Sequence, residues 1–135
     1  MRKKTVCVML CMLLIFSLSG CGGTVKDVNT HPVESELYSE EDIETAMDTV
    51  KKEFKRDWSG CTLTELYYAG DDRSKNHRDC ADRNGAEEVL VLYSSFDVDS
   101  SGGDGSLNPN STYSDWNWIL VRTNGGKWQL VDYGY

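Results

Sequence analysis

The hydrophobic pattern of this 135-residue chain changes once, near residue 60, and that change limits the fold most strongly. Between residues 39 and 57, apolar side chains recur at helical spacing. Ser39 and Asp42 stand as in an N-terminal capping box, and Gly60 is a suitable stop. The apolar stripe consists of Ile43, Ala46, Met47, Val50 and Phe54. The pattern predicts one amphipathic helix that begins at Ser39.

After residue 60 the pattern is typical of β-strands. Residues 62–69, 87–98, 113–123 and 127–135 are rich in aromatic, β-branched and leucine side chains. The sequence Asn124-Gly125-Gly126 between the last two segments predicts a hairpin. Residues 70–85 are charged and leave open a short helix at 75–83. We therefore predict an α+β domain, with one N-terminal helix packed on a four-stranded antiparallel sheet.

The N-terminus has the parts of an export signal. A basic start precedes an apolar run at residues 6–18, which is shorter than the roughly 20 residues that span a bilayer. The next residues, Leu18-Ser19-Gly20-Cys21, resemble the bacterial lipoprotein box. That resemblance implies a diacylglyceryl group on the Cys21 thiol and cleavage just before it. The alternatives are an ordinary signal peptide cut nearby and an uncleaved anchor.

The lipoprotein interpretation divides the chain into three parts. These are a signal peptide at residues 1–20, a lipid-anchored flexible tether at 21–38 and a small α+β domain at 39–135. At least two acyl chains are implied, which is enough for stable anchoring. We expect the mature protein on the extracytoplasmic face of the cell membrane.

Removal of the signal makes the chain strongly acidic. The formal charge changes from −8 to −11, because residues 1–20 carry three positive charges and no negative one. Such a chain does not favour nucleic acid, whose backbone requires Lys and Arg. It is also repelled by anionic headgroups, so the lipid must hold it at the membrane. The acidic surface either recruits calcium or basic partners or simply keeps the protein soluble.

Two cysteines remain in the mature domain besides Cys21. Cys7 and Cys11 leave with the signal, so Cys61 and Cys80 form an even pair in an exported domain. Such a pair predicts a disulfide that pins the charged segment 70–85 to the start of the sheet. Two unpaired thiols are the alternative.

The loop at residues 97–108 has half of a calcium-binding pattern. Asp97, Asp99 and Ser101 occupy positions one, three and five of an EF-hand-like loop, and Asp104 adds another carboxylate. Position twelve is Asn108 rather than Glu, and a strand precedes the loop where a helix is required. Two interpretations therefore remain. Either these oxygens bind calcium, or the segment is a glycine-rich loop in which Asp and Ser bond to local backbone amides.

Tryptophan side chains are the remaining candidates for ligand binding. Trp116 and Trp118 lie two apart and point to one face of their strand, and Trp128 follows on the next strand. An open face of this kind would bind a sugar or a peptide, whereas a face covered by the helix would be core. The chain shows none of the familiar catalytic motifs, and its histidines, His31 and His77, lie in polar segments.

The helix, the long sheet and the Trp-rich final hairpin resemble the cystatin-like or nuclear-transport-factor-two-like fold. The segment from 87 to 135, with its loop 97–112 and the Trp116-x-Trp118 pair, is also similar to small uncharacterised lipoproteins of Gram-positive Firmicutes. That resemblance implies a fold and a compartment and brings no catalytic residues. Two functions follow as hypotheses. The first is a binding or accessory module for a cell-envelope component or protein, and the second is a small enzyme or ligand carrier with a pocket between helix and sheet.

The lipid anchor is testable by replacing Cys21→Ala. Without a thiol no thioether can form, so we expect the variant to leave the detergent phase in a two-phase detergent partition, while the natural protein stays in it. Cys80→Ala is the matched control and should partition as the natural protein does. A Cys21→Ala protein that still enters the detergent phase would contradict the lipoprotein interpretation.

Overall fold

The computed structural model describes residues 22–135, so Cys21 and the predicted signal peptide lie outside the described residues. Five strands and three helices make up the described part. In chain order they are β1 (Thr24–Asn29), α1 (Glu40–Asp57), β2 (Cys61–Tyr68), α2 (Asp71–Asn76), α3 (Arg78–Arg83), β3 (Glu88–Val98), β4 (Thr112–Arg122) and β5 (Gln129–Gly134). Among residues 22–135 no helix is long and apolar enough to cross a bilayer.

The five strands form one mixed sheet in the order β1-β2-β3-β4-β5. Strand β1 runs parallel to β2, and every other neighbouring pair is antiparallel. The predicted α+β class is confirmed, with β2–β5 as the four predicted strands. The structure differs from the prediction in detail, because it also contains a parallel edge strand, β1, and the two short helices α2 and α3.

Strand β1 lies in the segment that was expected to be a flexible tether. Val25 and Val28 pack against the main core, and Thr24 and Val25 pair with Thr62 and Leu63 of β2. The tether prediction is therefore corrected for residues 24–29. Two valines in six residues give no clear alternation, and the pairing partner is almost 40 residues away, so local sequence does not reveal this strand.

Both faces of the sheet carry a core. Alternate residues of β3 and β4 point to opposite sides, as strand geometry requires. We call the side that packs against α1 the helix face, and it includes Leu90, Leu92, Phe96, Trp118 and Leu120. The other side packs against the short helix α3, and its members include Val89, Val91, Ile119 and Val121.

The predicted start of α1 is confirmed. Ser39 Oγ accepts from the Asp42 amide at 3.1 Å, and the Asp42 carboxylate accepts from the Ser39 amide at 3.1 Å. The nearly buried Arg122 guanidinium donates to Asp42 at 3.0 Å and also to Glu88, and it lies 4.2 Å from the centroid of the Trp128 ring. One arginine thus joins the helix start to strands β3 and β4.

Cys61 and Cys80 are free thiols in the structure, which corrects the predicted disulfide. Cys61 belongs to the core on the helix face, whereas Cys80, on α3, belongs to the core on the opposite face. The sheet lies between the two side chains. A disulfide needs Cα atoms within about 7 Å and Cβ vectors that face each other, and this arrangement does not provide that.

Trp118 is the largest fully buried side chain in the core. Its indole N–H donates to the hydroxyl of Ser94 at 2.7 Å, and Ser94 is itself fully buried on the neighbouring strand. A buried indole N–H without an acceptor would retain its full desolvation cost. The Ser94 hydroxyl therefore allows a tryptophan to occupy the centre of the helix face.

Ser94→Ala removes the only acceptor that the described residues offer the Trp118 indole. We expect a loss of about 1–3 kcal/mol in the free energy of unfolding, because the N–H stays buried and unpaired. Urea unfolding followed by tryptophan fluorescence measures it. Ser95→Ala is the matched control, since its hydroxyl contacts the part-exposed Glu65 carboxylate, and it should cost less than about 1 kcal/mol. Equal losses would contradict the assigned role of Ser94.

The ion pair between Arg122 and Asp42 predicts that the free energy of unfolding depends on pH. The Arg122 hydrogen bond, followed by the Ser39 amide, lowers the pKa of Asp42. A lowered pKa contributes stability above the ordinary value of about 3.9, and this contribution is lost as pH falls through the folded value. We expect Asp42→Asn to cost about 1 kcal/mol at pH 7 and progressively less below pH 4, measured by urea unfolding at each pH.

Asp48→Asn serves as the control for this experiment, because Asp48 is an exposed carboxylate on the same helix. Its loss in the free energy of unfolding at pH 7 should be smaller than that of Asp42→Asn. A pH-independent loss for Asp42→Asn would show that the carboxylate charge does not contribute.

Candidate functional site

The structure separates the three tryptophans that the sequence singled out. Trp118 is fully buried, and Trp128 is 6% exposed and donates its indole N–H to the Asp42 carbonyl at 3.0 Å. All three belong to the core on the helix face, as the covered-face alternative requires, and Trp128 also lines a larger groove. Trp116, which is 9% exposed, lines a cavity.

We call this cavity the aromatic pocket. It has a volume of about 260 Å³ and lies on the helix face, where the end of α1, the start of β2, the loop 99–111 and strands β4 and β5 meet. Its walls are formed by Trp58, Cys61, Leu107, Trp116 and Tyr133. Its remaining lining residues are Glu53, Asp57, Ser59, Gly103, Asp104 and Ser106.

Three aromatic rings of the pocket lining pack against one another. The Trp58 ring is nearly perpendicular to that of Trp116, at 84° and 5.8 Å between centroids, and to that of Tyr133, at 72° and 5.2 Å. The rings of Trp116 and Tyr133 are closer to parallel, at 25° and 6.3 Å. Trp58 therefore packs nearly perpendicular to the other two rings.

Local structure explains where these rings lie. Trp58 caps the C-terminus of α1, where its amide donates to the Phe54 carbonyl at 3.2 Å and its ring stacks on that of Phe54 at 5.5 Å. Tyr133 stands opposite the buried Trp118 in the β4–β5 register, so its ring extends over the helix face. Trp116 lies two residues before Trp118 on β4 and points to the same side.

The loop after β3 closes one side of the pocket. Asp99 accepts from the Ser101 amide at 2.8 Å, and Asp104 accepts from the Ser106 amide at 2.9 Å. Gly60, with φ +75°, lies against this loop, because an added Cβ would be 2.5 Å from Ser101 Oγ. These local hydrogen bonds lower the pKa values of Asp99 and Asp104, so both carboxyls are ionised at neutral pH.

The predicted calcium ligands make hydrogen bonds to neighbouring residues in the structure. Asp97 accepts from the Thr112 hydroxyl at 2.7 Å, and Asp99 accepts from both the amide and the hydroxyl of Ser101. Within residues 22–135 no three His, Cys, Asp or Glu side chains gather in a group that could hold a metal ion. Asp99 bonds to Ser101 inside the loop and Asp97 bonds across the β3–β4 pair, and calcium at these oxygens stays a prediction.

The electrostatic environment of the pocket is acidic. Glu53, Asp57 and Asp104 belong to its lining, and none of the described lining residues is a lysine or an arginine. Arg56, on the exposed side of α1, pairs with Glu53 and with Asp57, the latter at 3.1 Å. Burial, followed by the neighbouring Asp57 carboxyl, raises the pKa of Glu53. The pocket is therefore negatively charged overall.

Two groups in the walls have unusual environments. Burial, together with the charges of Asp99 and Asp104, raises the pKa of the Cys61 thiol, which keeps it protonated and weakly reactive. The indole N–H of Trp116 is buried and donates to no acceptor among residues 22–135. An unpaired buried donor is costly, and such groups are uncommon in folded proteins.

The histidines lie away from the pocket. The His31 ring stacks on Tyr67 at 4.2 Å, and its Nε2 is 2.7 Å from the Glu65 carboxylate, whose pKa it lowers. His77 contacts the Arg73 carbonyl through Nδ1 at 2.9 Å, at the junction of α2 and α3. Neither ring is placed beside the Cys61 thiol or a pocket carboxylate.

A larger groove of about 860 Å³ lies between α1 and β5. Its walls carry charges of both signs, from Asp48, Lys52, Arg56 and Lys127 among others. This mixture favours no single class of ligand, so the aromatic pocket is the better-defined site.

Sequence reasoning identified Trp116 but not Trp58. Trp58 follows the last regular turn of the predicted helix, so it was not included in the apolar stripe on which the helix prediction rests. The available signal was its spacing of four residues from Phe54, which places both rings on one side of the helix end.

No protein-family model matches this chain, and neither a curated protein nor a solved structure matches it.

Proposed function

We propose that this protein is a lipid-anchored, extracytoplasmic binding module that takes a small ligand in the aromatic pocket. The tetrad ending at Cys21 supports the anchor and the compartment, as do the basic start and the short apolar run before it. The acidic mature chain supports a lipid, rather than a charged surface, as the attachment to the membrane.

The aromatic pocket is the observation that carries this proposal. Small-ligand sites are concave, mostly apolar and aromatic, and contain a few polar groups that fix orientation. The pocket is lined by three aromatic side chains, by the apolar Leu107 and by three carboxylates. Tyr133 is 52% exposed, which is unusual for a large aromatic residue and places its ring at the entrance.

The arrangement of the pocket favours binding over chemistry. Its thiol has a raised pKa, and both histidines of the mature chain lie elsewhere. Helix α1 across strands β2–β5 supports a cystatin-like roll, as in the lipoproteins that the sequence resembles. A ligand carrier is the second candidate, favoured by the position of the pocket between α1 and the sheet. A cell-envelope component or protein remains the partner that we expect for an anchored module.

Thermal unfolding tests the proposal directly. The protein is purified in a maltoside detergent and heated with single solutes from four classes: sugars, amino acids, short peptides and methylated ammonium salts. A ligand at about 100 times its Kd adds about 2.7 kcal/mol, which corresponds to a rise of about 10 °C in Tm for a domain of this size. We expect at least one class to raise the Tm.

Tyr133→Ala removes an exposed wall of the pocket and should abolish the rise. Leu37→Ala is the control, because Leu37 is a 46% exposed apolar residue that does not line the pocket. If no solute of any class raises the Tm, or if the rise survives in Tyr133→Ala, the aromatic pocket is not the binding site.

A further inference from the structure

We infer that the C-terminal end of α1 carries a membrane-contact surface, which the lipid at Cys21 holds against anionic phospholipid headgroups. We call it the basic surface, and it consists of Lys26, Lys51, Lys52 and Lys55. The inference rests on the proposed function, because it takes the lipid anchor from it. It is supported by two independent observations: the position of the first described residues on α1, and the distribution of the lysines.

The first described residues lie directly on the end of α1. The Gly23 amide donates to the Phe54 carbonyl at 3.1 Å. Gly22 is in closer contact, because an added Cβ would be 1.6 Å from the carbonyl oxygen of Lys55, and one on Gly23 would be 2.6 Å from that of Trp58. Strand β1 begins at the next residue and pairs with β2. The chain is therefore fixed to the end of α1 from Gly22 onward.

The junction to the lipid is too short to act as a leash. One peptide bond joins Cys21 to Gly22, so their Cα atoms are about 3.8 Å apart. The acyl chains of a diacylglyceryl group lie in the hydrocarbon, which keeps the residue that carries them at the level of the headgroups. A flexible linker would let the domain move away from the membrane, but Gly22 is already fixed. The end of α1 therefore lies within about 10 Å of the headgroups.

The lysines of the chain are concentrated at this junction. Four of the six lysines that follow Cys21 belong to the basic surface, three of them in the last two turns of α1 and one on β1. Among residues 22–135, none of these four forms an ion pair with a carboxylate. Lysines close to a negatively charged leaflet are attracted to it, and the effect falls off within a Debye length. The four ammonium groups are thus available to headgroups at the distance where they act.

The helix dipole does not account for this distribution. Its effect is confined to the last turn of a helix, which suits Lys55. Lys51 and Lys52 lie one turn earlier, and Lys26 lies on β1. What the four residues share is proximity to the anchored end of the chain rather than a place in the final turn.

The local charge is opposite in sign to that of the whole domain. Residues 24–29 and 51–58 carry five positive and three negative charges, a formal sum of +2, in a mature chain whose formal charge is −11. Arg56 is engaged by Glu53 and Asp57, so the lysines supply the free positive charge. A negative leaflet attracts this end and repels the remainder of the domain. The lipid supplies the attachment, and the charge distribution supplies the orientation.

Lysine reactivity on vesicles tests the inference with the lipidated protein. The protein is transferred from detergent to preformed vesicles of mixed phosphatidylglycerol and phosphatidylcholine. It is then acetylated briefly with a reagent that does not cross membranes, and each lysine is quantified by mass spectrometry. We expect the four lysines of the basic surface to react severalfold more slowly than in the soluble, unlipidated Cys21→Ala protein.

Lys75 and Lys127 are internal controls and should react equally in both preparations. Both are exposed. Lys127 precedes Trp128, whose indole donates to the Asp42 carbonyl in the first turn of α1, and Lys75 shares a shallow cleft with Tyr38, just before that turn. An 18-residue helix is roughly 27 Å long, so these two lysines lie far from the anchored end.

Paired variants test the contribution of charge. Lys51→Gln combined with Lys55→Gln should reduce the protection of Lys26 and Lys52 severalfold, because half of the basic surface is neutral. Lys75→Gln combined with Lys127→Gln is the matched control, since it removes the same charge at the other end of α1, and it should leave that protection unchanged. Vesicles of phosphatidylcholine alone should protect the natural protein less than the mixed vesicles do.

The outcomes separate this inference from the function on which it rests. If intact mass shows the lipid but all six lysines react alike, the basic surface is not a membrane-contact surface and the anchored module stands. Unchanged protection in the Lys51→Gln, Lys55→Gln variant, or equal protection on both kinds of vesicle, overturns the anionic headgroup as the partner. A mature protein without acyl chains overturns the anchor and this inference together.

Discussion

The packing of α1 on the aromatic helix face is the interaction on which the rest of the structure depends. Trp118 lies at its centre, where its ring meets those of Phe54 and Trp58 from the helix and that of Tyr133 from β5. The Ser94 hydroxyl satisfies its indole N–H. Because the two aromatic residues at the helix end contact Trp118 directly, the position of this ring also sets the position of a pocket wall.

The two ends of α1 are held by different forces. At the N-terminus, Arg122 connects the capping residue Asp42 to Glu88, so charge and hydrogen bonding fix the helix to the sheet. At the C-terminus, ring contacts fix it, and the chain then turns at Gly60 into β2. The aromatic pocket forms at the second end, where bulky rings meet a loop that is held by its own hydrogen bonds and leave space between them.

The sequence predicted what depends on local pattern. The capping box at Ser39, the apolar stripe of α1 and the four antiparallel strands follow from spacing alone, and the structure contains them. Strand β1 was missed because it depends on a parallel partner far along the chain. The pairing of Cys61 with Cys80 was wrong for a related reason. Which face each thiol occupies depends on strand register and on the placement of α3, and neither is visible in the spacing of the cysteines.

The site was predicted only in part. Trp116 was a candidate, but the pattern placed it with Trp118 and Trp128, and all three are buried; only the position of Trp116 in the lining of the aromatic pocket distinguishes it. Intermolecular nuclear Overhauser effects test the central claim most directly. With a solute that raises the Tm bound to the isotope-labelled protein, we expect contacts between the protons of the solute and the ring protons of Trp58 and Tyr133, which line the pocket. Contacts confined to residues outside the aromatic pocket, or no contacts at a saturating solute concentration, would contradict the binding site proposed here.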